Sequence, residues 1–351
     1  EAWMSSVPVI AITACRSPSE MAKNPIMFCR GRVYDTFDVL RPFTKWSVQV
    51  HSPDRVSELL SRAYAIATTG RPGPVQVELF PDAQCGEASY EITPNEEYSV
   101  WPAQRVWPDP AKLKAAAKLL VEARHPVIVS GGGVVHSGAF DELAALAEHL
   151  SIPVATSLFG KGSIAETHPL AVGVSGIHHR ISANQTVSEA DLVMFVGSNT
   201  DMHTTNKWTI PEPGKVKVIH LDIDPEEIGR NYPTEVGIVA DARTGLAGLL
   251  LAVKALRPEK VHVKERYEAV ARRVGAWREG IRADQTSDAT PIKPQRLMHE
   301  ISNFLDEDAI VLGDLSFSSV WVNVHYDCRK AGPNITYARG FDILGWGLPA
   351  S

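Results

Sequence analysis

The residues most able to do chemistry lie in a few short segments. Ser130-Gly131-Gly132-Gly133 sets three glycines after an apolar run and ahead of a helical pattern. Glycines there let backbone N–H groups approach a phosphate, and a helix N-terminus favours negative charge. The GxGxxG pattern of nicotinamide-binding loops fails, because residue 136 is His. A tight turn with no ligand explains Gly131, Gly132 and Gly133 as well as a nucleotide does. Asp222, in Asp222-Ile223-Asp224-Pro225, falls at the carboxyl end of an apolar run, where an acid can hold a ribose hydroxyl. Asp224 suits the cap of a helix starting at Pro225. Gly160-Lys161-Gly162 lacks the upstream glycine of a phosphate-cradling loop and reads as a turn with a solvated lysine. His178-His179 has no carboxylate or cysteine at ligand spacing, so no metal site is read. His168, before Pro169, reads as a surface residue. Last, residues 338–350 (ARGFDILGWGLPA) place glycines around bulky apolar side chains, so that backbone can lie close to a ligand. Composition alone leaves that segment an ordinary loop.

The elements that must position these residues follow from periodicity. Residues 7–14 read as a buried strand. Residues 53–68 have helical spacing, with Ser52 as N-cap and Pro53 at the first position. Gly70 closes that helix, and Gly73-Pro74 turns the chain into a strand at 75–80. Residues 81–109 are rich in proline and acid and read as a surface linker. Helices are expected at 110–123, 138–150, 242–255 and 294–305, and strands at 127–129, 153–156, 192–196, 216–222, 236–239 and 309–312. Residues 257–290 are polar and helical, a second connector. Strands alternating with helices imply α/β architecture: parallel sheets flanked by helices.

Composition narrows the function. The 351 residues carry a net charge of −6, which offers no electrostatic footprint for nucleic acid or an anionic membrane. No run of about 18 apolar residues is present to span a bilayer. Cys15, Cys29, Cys85 and Cys328 form no CxxC pair, which weighs against zinc and a disulfide framework and makes buried or inert thiols in a cytoplasmic protein the default. The chain does not open on Met, and it stops at Leu348-Pro349-Ala350-Ser351 just past a glycine-rich segment, so both ends read as truncations.

Several segments resemble, in order, those of thiamine-diphosphate-dependent enzymes of the acetolactate synthase type. Thr44-Lys45 and Gly70-Arg71-Pro72-Gly73-Pro74-Val75 with Pro81-Asp82 are similar to the end of the pyrimidine-binding domain. Pro126–Gly133, Gly160-Lys161-Gly162 with His168-Pro169, Ala190-Asp191-Leu192 and His220–Asn231 are similar to the central domain. Gly345-Trp346-Gly347-Leu348-Pro349-Ala350 resembles the start of the diphosphate-binding domain. Each motif is weak alone, and their order carries the resemblance. It implies a central Rossmann-like domain between two incomplete thiamine-diphosphate-binding domains: residues 1–85, a linker 86–109, the central domain 110–256, a connector 257–290, and the diphosphate domain from 291 to 351.

The resemblance further implies thiamine diphosphate with Mg²⁺, decarboxylation or carboligation of a 2-keto acid such as pyruvate, and at least a homodimer or homotetramer, since that cofactor lies between subunits. Leu344 would be the bulky residue propping the bent cofactor, and the backbone carbonyl of Asp342 would accept a hydrogen bond from its amino group, with Gly340 and Gly345 beside it. The Glu that activates the pyrimidine would lie before Glu1, and the GDG segment that holds metal beyond Ser351; Gly313-Asp314-Leu315 is not that motif. The Phe-Gln-Glu of true acetolactate synthases falls near residues 31–33, here Gly-Arg-Val, and their flavin-holding arginine loop is replaced near residues 199–203 (NTDMH). Both departures weigh against FAD, although Gly131, Gly132, Gly133 and Asp222 could retain a nucleotide. Another thiamine-dependent acetyltransferase, an aryl-keto-acid decarboxylase, and a non-catalytic nucleotide-binding module are the alternatives. The exact substrate and acceptor stay open.

Overall fold

The computed structural model describes residues 1–17, 19, 20, 23, 36–89, 100–102 and 104–351. Cys29, the tripeptide at 31–33 and residues 90–99 of the expected linker lie outside the described residues. The chain forms two compact units, Glu1–Arg105 with Arg339–Asp342, and Val106–Ala338 with Ile343–Ser351.

The first unit contains β1 (Ile10–Ala14), α1 (Thr36–Leu40), β2 (Trp46–Val50), α2 (Val56–Thr68), β3 (Val75–Leu79) and α3 (Pro81–Cys85). Its sheet is parallel in the order β1-β3-β2, with Ile10 and Trp46 both opposite Val75. The central strand VQVEL is almost wholly buried, as a parallel strand covered on both faces must be. Its two polar residues are therefore paired: Gln76 donates to the Thr13 hydroxyl at 3.1 Å, and Glu78 accepts from Gln49 at 2.7 Å. Lys45 holds the turn that follows α2. Its ammonium donates to the carbonyls of Ile66, Thr69 and Arg71 at 2.6, 2.7 and 2.8 Å, satisfying groups that a helix end leaves free. Ser52 makes no side-chain cap bond; a 3₁₀ turn at Pro53–Arg55 precedes the α-helix instead.

The second unit contains α4 (Pro110–Glu122), β4 (Pro126–Ser130), α5 (Gly132–Ser137), α6 (Phe140–Leu150), β5 (Val154–Thr156), β6 (Ala171–Val174), α7 (Ile181–Ser188), β7 (Leu192–Val196), β8 (Lys217–Asp222), β9 (Val236–Val239), α8 (Ala242–Leu256), α9 (Lys264–Gln285), α10 (Pro294–Phe304), β10 (Val311–Gly313), α11 (Phe317–His325), β11 (Ile335–Tyr337) and α12 (Gly347–Ala350). Six strands form one parallel sheet in the order β6-β5-β4-β7-β8-β9, so the chain winds outward in both directions from β4 and β7. Alternate residues feed two cores: Ile128, Met194 and Val196 on one face, Val127, Val129, Val193 and Phe195 on the other. The second, small parallel sheet pairs β10 with β11.

Acidic residues fix the element ends. Asp109 caps α4 by accepting from the Ala111 N–H at 2.7 Å. Asp241 caps α8 and also accepts from the Ser137 hydroxyl. Asp191 accepts from the N–H groups of Arg124 and His125, both at 2.8 Å, and so sets the start of β7 against the start of β4. Residues 225–229 form turns, so the helix expected at Pro225 is absent; Asp224 accepts from the Glu226 N–H at 3.0 Å and caps a turn instead.

Candidate functional site

The crevice where β4 and β7 part is the usual ligand position in such a sheet. Here it is packed with the protein's own backbone. A Cβ added at Gly131 would lie 2.1 Å from the Gly197 carbonyl oxygen, and one at Gly133 would lie 2.7 Å from the Gly197 Cα. The Gly133 N–H, a candidate phosphate donor, is given to the Gly197 carbonyl at 2.9 Å. Gly132 sits on the Phe159 side chain, where its Cβ would meet the Phe159 Cβ at 3.1 Å. The three glycines thus let one strand-end loop lie directly on another. Asp222, buried at the end of β8, accepts from the Asp224 N–H at 2.9 Å.

Lys161 departs most from the sequence expectation. It is 2% exposed rather than solvated, and its ammonium is 2.6 Å from Glu166. Burial drives its pKa down; the Glu166 carboxylate opposes that. Glu166 also accepts from Arg180 at 3.2 Å and from the Cys328 N–H at 2.8 Å. Arg180 continues the network to Asp327 at 3.1 Å and to the carbonyls of Val324 and Tyr326, with its guanidinium 4.3 Å from the Trp277 ring centroid. Arg278 closes it on Asp327 at 2.9 Å. Burial alone would raise the Asp327 pKa, but Arg180 and Arg278 outweigh it and hold the carboxyl below its ordinary value. The flanking glycines of Lys161 serve this packing: a Cβ at Gly160 would lie 2.0 Å from the Ser130 carbonyl oxygen. No local sequence signal reveals the network, because Arg180 and Asp327 are 147 residues apart.

The remaining candidates separate clearly. His168 is partly buried and 3.2 Å from Glu148. His178 stacks on His203 at 6.0 Å, and among the described residues no three His, Cys, Asp or Glu side chains converge as a metal site. Among the same residues no helix is long and apolar enough to cross a membrane. Of the described cysteines, Cys15 and Cys328 are buried and Cys85 is exposed. Burial and then Glu166 push the Cys328 thiol up to about 11, which makes it inert.

The C-terminal loop is built differently. Leu344 is 71% exposed and belongs to no core. Gly345 has φ +81, and a Cβ there would meet nothing within 4 Å. Asp342 has φ +58, a left-handed conformation that favours glycine. Gly340 is packed: its N–H donates to Glu1 at 2.8 Å, and a Cβ would collide with Ser5 at 2.5 Å. Ser316, ahead of α11, holds φ 71 and ψ −148, a region almost confined to glycine.

Against this geometry, residues 113–249 match the family model of the thiamine pyrophosphate enzyme, central domain. Over those residues the chain is similar to that central domain. That domain takes in the six-stranded sheet, from α4 to the middle of α8. Similarity extends across the whole chain, which is 35% identical to the probable acetolactate synthase large subunit of Methanocaldococcus jannaschii, 31% to that of Corynebacterium glutamicum and 28% to that of Lactococcus lactis. All of this chain is covered in each case, and it spans 58%, 54% and 58% of those proteins' own lengths. The family resemblance carried by the ordered motifs is therefore present from end to end, and the parallel, helix-flanked α/β fold agrees with it.

Proposed function

We propose that this chain is part of a thiamine-diphosphate-dependent and Mg²⁺-dependent enzyme that decarboxylates a 2-keto acid such as pyruvate and joins the product to an acceptor. The observation that carries the reading is the whole-chain similarity to acetolactate synthase large subunits. The residues of the C-terminal loop fit such a cofactor: an exposed bulky side chain at Leu344, beside a glycine with open space. When bound, the cofactor supplies a nucleophilic carbon for the keto group and an electron sink for the electrons released with CO₂. Leu344 would support the cofactor and so keep its reacting groups together, which is catalysis by proximity. The Asp342 carbonyl would accept a hydrogen bond from the cofactor's amino group. Gly340 and Gly345 shape the loop around both.

The same reading divides the chain at 85, 109, 256 and 290, makes the protein a cytoplasmic homodimer or homotetramer, and leaves FAD as a test rather than a premise. The Gly131–Gly133 loop and Asp222 would be its nucleotide contacts.

The full-length protein should be given thiamine diphosphate, Mg²⁺ and a panel of 2-keto acids, including aryl-keto acids, while CO₂ release and the coupled product are measured. Turnover of pyruvate to a carboligated product is the expected result. A protein inert with every keto acid and indifferent to thiamine diphosphate would sink the reading. Preference for an aryl-keto acid, with an aldehyde as product, would move it to the decarboxylase alternative. Leu344→Ala should lower kcat about a hundredfold, the cost of a small misplacement of reacting groups.

A further inference from the structure

Away from the crevice and the C-terminal loop, a pocket of 370 Å³ opens where the last turns of α9, α10 and α11 meet. Its wall includes Arg278, Arg282, His299, His325, Asp327 and Arg329. Three arginines face one carboxylate, so the wall is cationic. The cations are not equally committed. Arg278 is matched by Asp327 at 2.9 Å, and Arg329 donates to the Leu305 carbonyl at the end of α10. Among the described residues Arg282 pairs with Glu279, 2.9 Å away across an exposed surface where solvent screens the pair. Its charge is therefore available to a ligand.

A second, independent feature lies in the same wall. His325 is 7% exposed, flanked by the rings of Trp277 and Trp321, and its Nδ1 is buried without a hydrogen-bond partner. Buried polar atoms in native proteins are nearly always paired, with protein, water or a ligand, so an orphan in the wall of a pocket marks where such a partner sits. Arg180 and Lys161, behind this wall, place positive charge at His325. The cavity lies at the small end of ligand sites, too small for a dinucleotide.

We infer that this pocket binds a small organic anion, a carboxylate or phosphate group held by the Arg282 guanidinium with the His325 and His299 rings as hydrogen-bonding partners. Such a ligand would bridge the connector helix α9 to α10 and α11, apart from the proposed cofactor loop. The site does not depend on the reading of the reaction.

The test uses the full-length protein saturated with thiamine diphosphate and Mg²⁺, so that phosphate cannot occupy the cofactor position. Calorimetric titration with inorganic phosphate and with malonate should show one saturable site per chain for at least one of them, weakened by added salt. The preferred probe tells phosphate from carboxylate. Arg282→Glu should weaken binding about tenfold or more, with the thermal unfolding midpoint unchanged, because Arg282 is exposed. His299→Ala, also outside the core, should weaken it in the same direction. No saturable binding up to about 10 mM of either probe, a concentration at which even millimolar sites fill, would overturn the inference. So would binding that survives both substitutions.

Discussion

Gly131 and Gly345 are the same residue put to opposite uses. At the junction of β4 and β7, glycine removes a side chain so that backbone can occupy its place, and a methyl group at Gly131 would fall 2.1 Å from a carbonyl oxygen. In the C-terminal loop, glycine supplies φ +81 and leaves empty space beside it, next to an exposed leucine. The first region is closed by loop-on-loop packing and by the buried network of Lys161, Glu166 and Arg180. The second presents an apolar side chain outward on a backbone that only glycine adopts freely. A glycine-rich segment thus signals close approach, and only its surroundings show whether protein or ligand makes the approach.

The contrast can be broken by substitution. Glu166→Gln removes the carboxylate 2.6 Å from buried Lys161 and should cost about 3–5 kcal/mol in urea unfolding, the loss expected when one partner of a buried pair is deleted. A cost below about 1 kcal/mol, typical of surface pairs, would mean that water reaches this junction. Gly131→Ala should cost about 3 kcal/mol by the same measurement, because backbone rather than a flexible side chain must yield. Gly345→Ala, with the same added methyl, should cost only about 1 kcal/mol, the left-handed penalty alone. Equal costs at Gly131 and Gly345 would erase the distinction.

Acid should expose the packed region through His325. Burial and then Arg180 lower its pKa from 6.5 to about 4, so it stays neutral in the folded protein while the unfolded chain takes up a proton. Stability is fully present above pH 6.5, falls as pH drops from 6.5 to about 4, and levels off below; the loss is about 3 kcal/mol. Lys161 acts in the same sense as Arg180, and Asp284 and Asp327 act against them. The measurement is the difference in unfolding free energy between the wild type and His325→Gln across that range, which should vanish if the imidazole is already charged when folded. The smallest effect belongs to the open loop: Asp342→Gly should stabilise by about 0.5–1 kcal/mol, since Asp342 sits at φ +58 where glycine is unstrained.

Much of the fold was legible because parallel strands buried on both faces are continuous apolar runs. Residues 192–196, buried throughout, form a strand within the limits their composition predicts. Elements with weak patterns escaped. The strand Ala171–Val174 is four residues long and carries Gly173 at φ +91, and the helix Ile181–Ser188 is mostly polar or β-branched. The helix expected at Pro225 did not form, although its cap and proline were both in place, because the chain turns there instead. At the candidate site the sequence located the glycines and Asp222 but not what surrounds them.

The sequence by itself determined the alternation of strands and helices, the order of the family motifs and the glycine-flanked position of Leu344, since these depend on local periodicity and neighbouring residues. Only the tertiary structure decided that Lys161 is buried, that the Gly131–Gly133 loop is filled by backbone, and that Arg282 and His325 share a pocket. Those facts depend on groups far apart in the chain, such as Arg180 and Asp327, 147 residues apart, which meet only when the sheet and the helices α9 to α11 have packed. Charge pairing and cavity shape are set by that packing, and no local pattern encodes them.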